Sequence, residues 1–217
     1  MSEQQLKLYC LSGLGVDHRA FRNLQIEGVE LVHIPWIDPQ KNESLAHYAK
    51  RLFDSANLPE SYHLMGVSFG GMLAQEFEKI RKPQTLFLVS TISSASELPG
   101  LFRLGGKLSV HKIIPTALLK HANSLTYYFF GAKQKEDKAL LKEIMKDTGG
   151  SFLSWAMNAI LKWKNDAPSS GIRIHGENDK ILPQRKTPDV STPNAGHFMI
   201  VTRGTEISQR IREQLKG

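Results

Sequence analysis

Short apolar runs in this chain alternate with stretches of helical periodicity, and that alternation restricts the fold more than any other feature. Residues 6–11, 29–34, 63–67, 85–90 and 172–175 each read as a strand, and a weaker sixth lies near Val190. Between them, NESLAHYAKRLFDSAN (residues 42–57) sets Leu45, Tyr48, Ala49, Leu52 and Phe53 at helical spacing. A further helix is predicted from about Phe69 to Arg81, ending before Pro83, and a closing helix from about Phe198 to Leu215. Strands joined through helices of this length pair in parallel, and such a sheet is covered on both faces. The pattern predicts an α/β fold with a mostly parallel sheet of about six strands flanked by helices.

One long stretch departs from the alternation. Residues 92–165 carry no strand pattern, whereas PTALLKHAN, KEDKALLKEIMKD and SFLSWAMNAILKW read as short amphipathic helices. The expected organisation is therefore a core of residues 1–91 and 166–217 with a helical cap inserted at 92–165. The same stretch holds eleven Lys and Arg against five Asp and Glu, nearly all of the chain's net charge of +7. Two readings of that charge stand side by side: a solvated lysine-rich surface, or a segment favouring an anionic small-molecule substrate. Nucleic acid is not an expected partner, because no binding motif accompanies the lysines.

Other classes are excluded on composition. No apolar run approaches the roughly 20 residues of a membrane-spanning helix, so no membrane association is expected. The opening residues MSEQQLKLYCLSG have neither a basic n-region nor a long apolar h-region, so no signal peptide is expected. The single cysteine, Cys10, sits in a strand-like run and permits no internal disulfide, which fits a reducing, cytoplasmic setting. No His, Cys and acidic cluster has metal-ligand spacing, and SGLG is not a G-x-G-x-x-G fingerprint. Neither a metal nor a cofactor is expected.

Chemistry in parallel sheets collects beyond the carboxyl ends of the strands. There the sequence places Ser12-Gly13-Leu14-Gly15, Gly66-Val67-Ser68-Phe69-Gly70-Gly71, Gly176-Glu177-Asn178-Asp179 and Asn194-Ala195-Gly196-His197. The glycines around Ser68 either ease a tight strand-to-helix turn or hold the serine out as a nucleophile. Serine, acid and histidine follow one another in the order of the nucleophile-elbow architecture.

On the pieces SGLG, GVSFGG, IHGENDKILP and NAGHF, the sequence resembles the α/β-hydrolase superfamily over nearly its whole length. The resemblance implies Ser68 as nucleophile, His197 as general base and Asp179 as the acid that orients the imidazole. It also implies an oxyanion hole from the backbone N–H groups of Phe69 and Leu14. Serine in place of aspartate at the nucleophile argues against dehalogenase or epoxide hydrolase chemistry. Two departures from the family pattern are visible: Ser12 stands where many relatives have histidine, and the usual leading antiparallel strands are not seen before the SGLG strand. Glu177 and Asp189 are rival acids, and His33 and His175 are candidates for the pocket edge. Trp155, Phe129 and Met157, with Phe130 and Leu101, either line a substrate pocket or form the cap's own core. The implied activity is a serine hydrolase that cleaves a small carboxylic ester or thioester through an acyl-enzyme. The same triad would also serve C–C bond hydrolysis or a lyase, and the same fold could serve a non-catalytic ligand receptor.

Overall fold

In the computed structural model, which describes residues 5–100, 122–166 and 169–216, six strands form one parallel sheet. They are β1 (Leu6–Leu11), β2 (Val29–His33), β3 (His63–Val67), β4 (Thr85–Val89), β5 (Ile172–Gly176) and β6 (Val190–Thr192), in the order β2-β1-β3-β4-β5-β6. The order reverses between β1 and β3, and crevices for ligands open at such a reversal beyond the strand ends. The helices are α1 (Leu45–Ser55), α2 (Phe69–Ile80), α3 (Ser124–Phe130), α4 (Lys135–Asp147), α5 (Gly150–Lys162), α6 (Met199–Thr202) and α7 (Gly204–Lys216).

Both faces of the sheet are buried, as the unbroken apolar strands require. Leu64 of β3 and Leu86 and Leu88 of β4 face α1, α2 and α5, where Leu52, Phe77 and Trp163 complete the core. The alternate residues Met65, Val67, Phe87 and Val89 face the other way, against Ile207 and Ile211 of α7 and Leu141 and Ile144 of α4. Helices α4 and α5 thus pack toward opposite faces, and α3–α5 join β4 to β5 across the carboxyl end of the sheet. The segment expected to form PTALLKHAN lies mostly outside the described residues, as do Leu101, Arg103, Lys107, Lys112 and Lys120.

The closing helix is not continuous. Asn23 reaches it from the β1–β2 connection, and its side-chain amide donates to the Val201 carbonyl at 2.9 Å. A Cβ at Gly204 would collide with the Asn23 backbone. The helix stops at Thr202 and restarts at Gly204, a break that the distant Asn23 fills and that local periodicity does not show. Among the described residues no helix is long and apolar enough to cross a membrane. Cys10 is fully buried, and burial pushes its thiol far up, which makes it an inert core residue.

Phe77 is fully buried and meets the Phe53 ring edge-on at 5.2 Å between centroids. Phe77→Ala is expected to destabilise the chain by about 3–5 kcal/mol through the lost contacts and the cavity left behind. Ile80→Ala, one turn further at a 36% exposed position, should change stability by less than about 1 kcal/mol. Urea unfolding followed by circular dichroism measures both.

Candidate active site

The chain turns from β3 into α2 through a single residue held in a conformation that L-amino acids rarely adopt: Ser68 has φ 53° and ψ −116°. Such backbone costs on the order of 1–3 kcal/mol and persists only where its surroundings enforce it. Two neighbours do so, with the Ser68 N–H donating to Val89 O at 2.9 Å and the Thr91 hydroxyl donating to Ser68 O at 2.7 Å. The turn also lies so close to the sheet that side chains are excluded. A Cβ at Gly70 would overlap the Leu11 and Ser12 carbonyls, and one at Gly66 would overlap Gly70 and Gly71.

Ser68 does not cap α2; its side chain makes no capping bond. Its Oγ lies 2.9 Å from His197 Nε2. On the far side of the ring, His197 Nδ1 lies 2.8 Å from Asp179 Oδ2. The carboxylate accepts at Nδ1, so Nδ1 carries the ring proton and Nε2 is free to accept from the serine hydroxyl. His197 and Asp179 are both buried.

Asp179 is fixed from several sides. Its Oδ1 accepts the backbone N–H groups of Ile181 and Leu182, both at 2.9 Å. The His175 Nε2 lies 3.3 Å from Oδ2 and donates to Leu182 O at 2.8 Å. Burial by itself would raise the carboxyl's pKa, but the facing His197 ring, the His175 and His197 hydrogen bonds and the Leu182 amide hold it far below the usual carboxylate range. The two turns that carry the acid and the histidine are also bonded together, since the Asn178 N–H donates to Ala195 O at 2.9 Å.

The β1 loop closes on the serine from the opposite side. A Cβ added to Gly13 would stand 3.6 Å from the Ser68 Cβ. Within this loop the Ser12 hydroxyl donates to Val16 O at 2.5 Å, so Ser12 braces the loop's own turn. Helix α4 grips the same loop. Thr148, its C-cap residue, donates its hydroxyl to Gly15 O at 2.6 Å, and Arg19 pairs with Asp17, Glu143 and Asp147, each at 2.8 Å. Among the described residues, the backbone N–H groups of Leu14 and Phe69 donate to no protein acceptor. Both residues line the cavity into which Ser68 opens.

That cavity has a volume of about 580 Å3. Met72, Leu98, Leu125, Met145, Leu153 and Ile160 make it strongly apolar, and Lys180 is its only fully charged side chain among the described lining residues. Phe129, Met157 and Phe130 line it as well, and Phe130 meets the His197 ring edge-on at 5.8 Å. Trp155 does not. Its ring is buried 4.3 Å from Tyr48 between centroids, and its indole N–H donates to Glu43 O at 2.9 Å. Helix α5 is apolar on two sides: Leu153, Met157 and Ile160 face the cavity, while Trp155 and Ala159 face the core.

His33 and His175 are likewise away from the cavity lining. His33 sits near Ser12 and His18, and His175 is buried behind Asp179. The rival acids are engaged elsewhere: Asp189 accepts the Arg173 N–H at 2.7 Å, and Glu177 accepts from Ser191 at 3.2 Å. Lys180 and Thr148 were not singled out by the sequence. Lys180 had a usable signal, its place directly after the proposed acid, whereas Thr148 had none.

No protein-family model and no curated protein matches the chain. Among solved structures it is similar to MenH from S. aureus, with a TM-score of 0.72 and 17% identity over 99% of this chain and 94% of that one. It is also similar to a thermophilic esterase from Thermogutta terrifontis, with a TM-score of 0.70 and 17% identity over 97% of this chain and 89% of that one. A bromoperoxidase from Bacillus anthracis aligns with a TM-score of 0.66 and 14% identity, over 98% and 92% of the two chains. The chain has the α/β-hydrolase fold.

The depressed Asp179 pKa has a consequence for stability. A carboxyl whose folded pKa lies below its unfolded value of about 3.9 stabilises the fold fully above that value, and the contribution drains away as pH falls toward the folded pKa. Asp179→Asn should therefore lose stability less steeply than the parent protein between about pH 4 and pH 2. Urea titrations across that range measure the two slopes; equal slopes would show that the folded state does not hold this carboxylate ionised.

Proposed function

We propose that the protein is a serine hydrolase that cleaves a small carboxylic ester or thioester with an apolar acyl group. The observation that carries this reading is the unbroken relay Ser68–His197–Asp179 opening onto an apolar cavity. A serine hydroxyl is a weak nucleophile at neutral pH, and a hydrogen-bonded imidazole overcomes this by taking its proton as the bond forms. Ser68 Oγ attacks the carbonyl carbon while His197 Nε2 accepts the hydroxyl proton. Asp179, held ionised, stabilises the resulting imidazolium and keeps the ring in one orientation.

The carbonyl oxygen becomes an oxyanion facing the unengaged amides of Leu14 and Phe69, at the amino end of α2. Each such donor is worth about 3 kcal/mol in the transition state. Collapse of the tetrahedral intermediate breaks the bond from carbon to the leaving oxygen or sulfur, and His197 Nε2–H supplies that atom's proton. Water, deprotonated by the same imidazole, then attacks the acyl-enzyme, releasing the carboxylic acid and restoring Ser68. Helices α3–α5 act as a cap in this scheme: Leu125, Phe129, Phe130, Met145, Leu153, Met157 and Ile160 form one side of the apolar wall and hold water away from the acyl chain.

A fluorophosphonate probe should label Ser68 in a one-to-one ratio, detected by mass spectrometry of the modified peptide. Ser68→Ala should abolish both labelling and ester turnover, and Asp179→Asn should lower kcat by about three to four orders of magnitude. Folded protein that neither takes the probe nor turns over any neutral acyl ester would overturn the reading.

A further inference from the structure

A second depression of about 530 Å3 adjoins the acyl cavity, and its chemistry is different. Lys133, Lys138 and Lys180 line it together with Tyr127, Asn178 and Asn194, and no carboxylate is among its described lining residues. Among the described residues, none of the three lysines is in an ion pair, unlike Lys7, Arg19, Arg51 and Lys186. Aromatic rings take that place: Lys180 Nζ lies 3.4 Å from the Tyr128 ring centroid, and Lys138 Nζ lies 5.8 Å from that of Tyr127. Such contacts hold the ammonium groups at the groove without neutralising them. Three like charges gathered in one concavity create a positive potential that an anion relieves.

The groove and the cavity share a wall. Helix α3 turns Leu125 and Phe129 toward the apolar cavity and Ser124, Tyr127 and Tyr128 toward the groove, and Lys180 borders both. Gly196 and Asn178, which precede His197 and Asp179, complete the groove's near end. His197 Nε2 must hand its proton to the departing atom, so the leaving group lies on the histidine's side of the reacting carbon. From there, the groove is the adjoining space that the acyl group does not need.

We infer that this lysine-lined groove binds the leaving group, and that the leaving group is a phosphorylated alcohol or thiol. The inference rests on the serine-hydrolase reading and narrows its substrate class. Three ammonium groups, two side-chain amides and the Ser124 and Tyr127 hydroxyls offer more donors than the two oxygens of a carboxylate can use. Phosphate or diphosphate oxygens match that number. The arrangement also divides the substrate sharply, with its apolar acyl part in the cavity and its anionic part outside it.

Two thioesters with the same acyl chain separate the possibilities: hexanoyl-coenzyme A, whose thiol is phosphorylated, and hexanoyl-N-acetylcysteamine, whose thiol is neutral. At low ionic strength kcat/KM should favour the phosphorylated thioester by at least about tenfold, and added salt should erode the preference. In Lys133→Ala/Lys138→Ala the preference should fall about tenfold through KM, with turnover of the neutral thioester as in the parent protein, which also reports correct folding. Equal kcat/KM for both thioesters in the parent protein would overturn the inference, as would a parallel loss of both in the variant. If neither thioester is hydrolysed and the protein also takes no fluorophosphonate and turns over no neutral acyl ester, the hydrolase reading fails separately. Calorimetric titration with inorganic pyrophosphate then decides the groove alone: binding that the double variant loses supports it, and no binding to the parent protein refutes it.

Discussion

The backbone of the β3–α2 turn lies directly on the end of β1, and the remainder of the site depends on that contact. Gly70 can sit against the Leu11 and Ser12 carbonyls only because it has no Cβ. The approach brings the Gly13–Leu14 peptide beside Ser68 and places the start of α2 at the same point. The Ser68 hydroxyl, a helix terminus and the Leu14 amide thus converge at the reversal in strand order. The strained φ of Ser68 is sustained by hydrogen bonds from β4 and its following loop, so the sheet supplies the energy that the turn consumes.

Electrostatics completes what packing begins. A buried carboxylate is unfavourable unless it is hydrogen-bonded, and Asp179 meets this condition with two backbone amides and two imidazoles. Each of those contacts also fixes its direction, so the oxygen facing His197 has little freedom to turn. The histidine is positioned in the same way, because its turn is bonded to the acid's turn at Asn178 and to α3 where the Phe198 N–H donates to Phe130 O at 2.9 Å.

Much of this was legible in the sequence, for a physical reason. Strands buried on both faces must be continuously apolar, and close backbone approach requires glycine, so the parallel sheet and three of its strand ends announce themselves. The strand boundaries agree to within one residue for β1 through β5. What was hidden depends on contacts between distant residues. The break at Arg203 is met by Asn23 from another element, a contact that nothing local to the closing helix encodes, although Gly204 after Ile200, Val201 and Thr202 weakens the helix there. The choice between the two apolar sides of α5 placed Met157 in the cavity and Trp155 in the core, and periodicity alone has no means to distinguish them. The basic groove was hidden for the same reason, since Lys180 follows β5 while Lys133 and Lys138 belong to the helical insertion.

The grip of α4 on the β1 loop carries a mechanical implication. Thr148 holds the Gly15 carbonyl, and Arg19 spans from Asp17 to two acids of α4. The peptide that presents the Leu14 amide is therefore fastened to the same helix that walls the acyl cavity with Met145. Lifting α4 to admit a bulky chain would pull the amide out of line with Ser68, and reseating it would restore the alignment. In the proposed reaction, substrate entry and alignment of that amide would then share one degree of freedom, and an ill-fitting acyl chain would be penalised in the transition state as well as in binding.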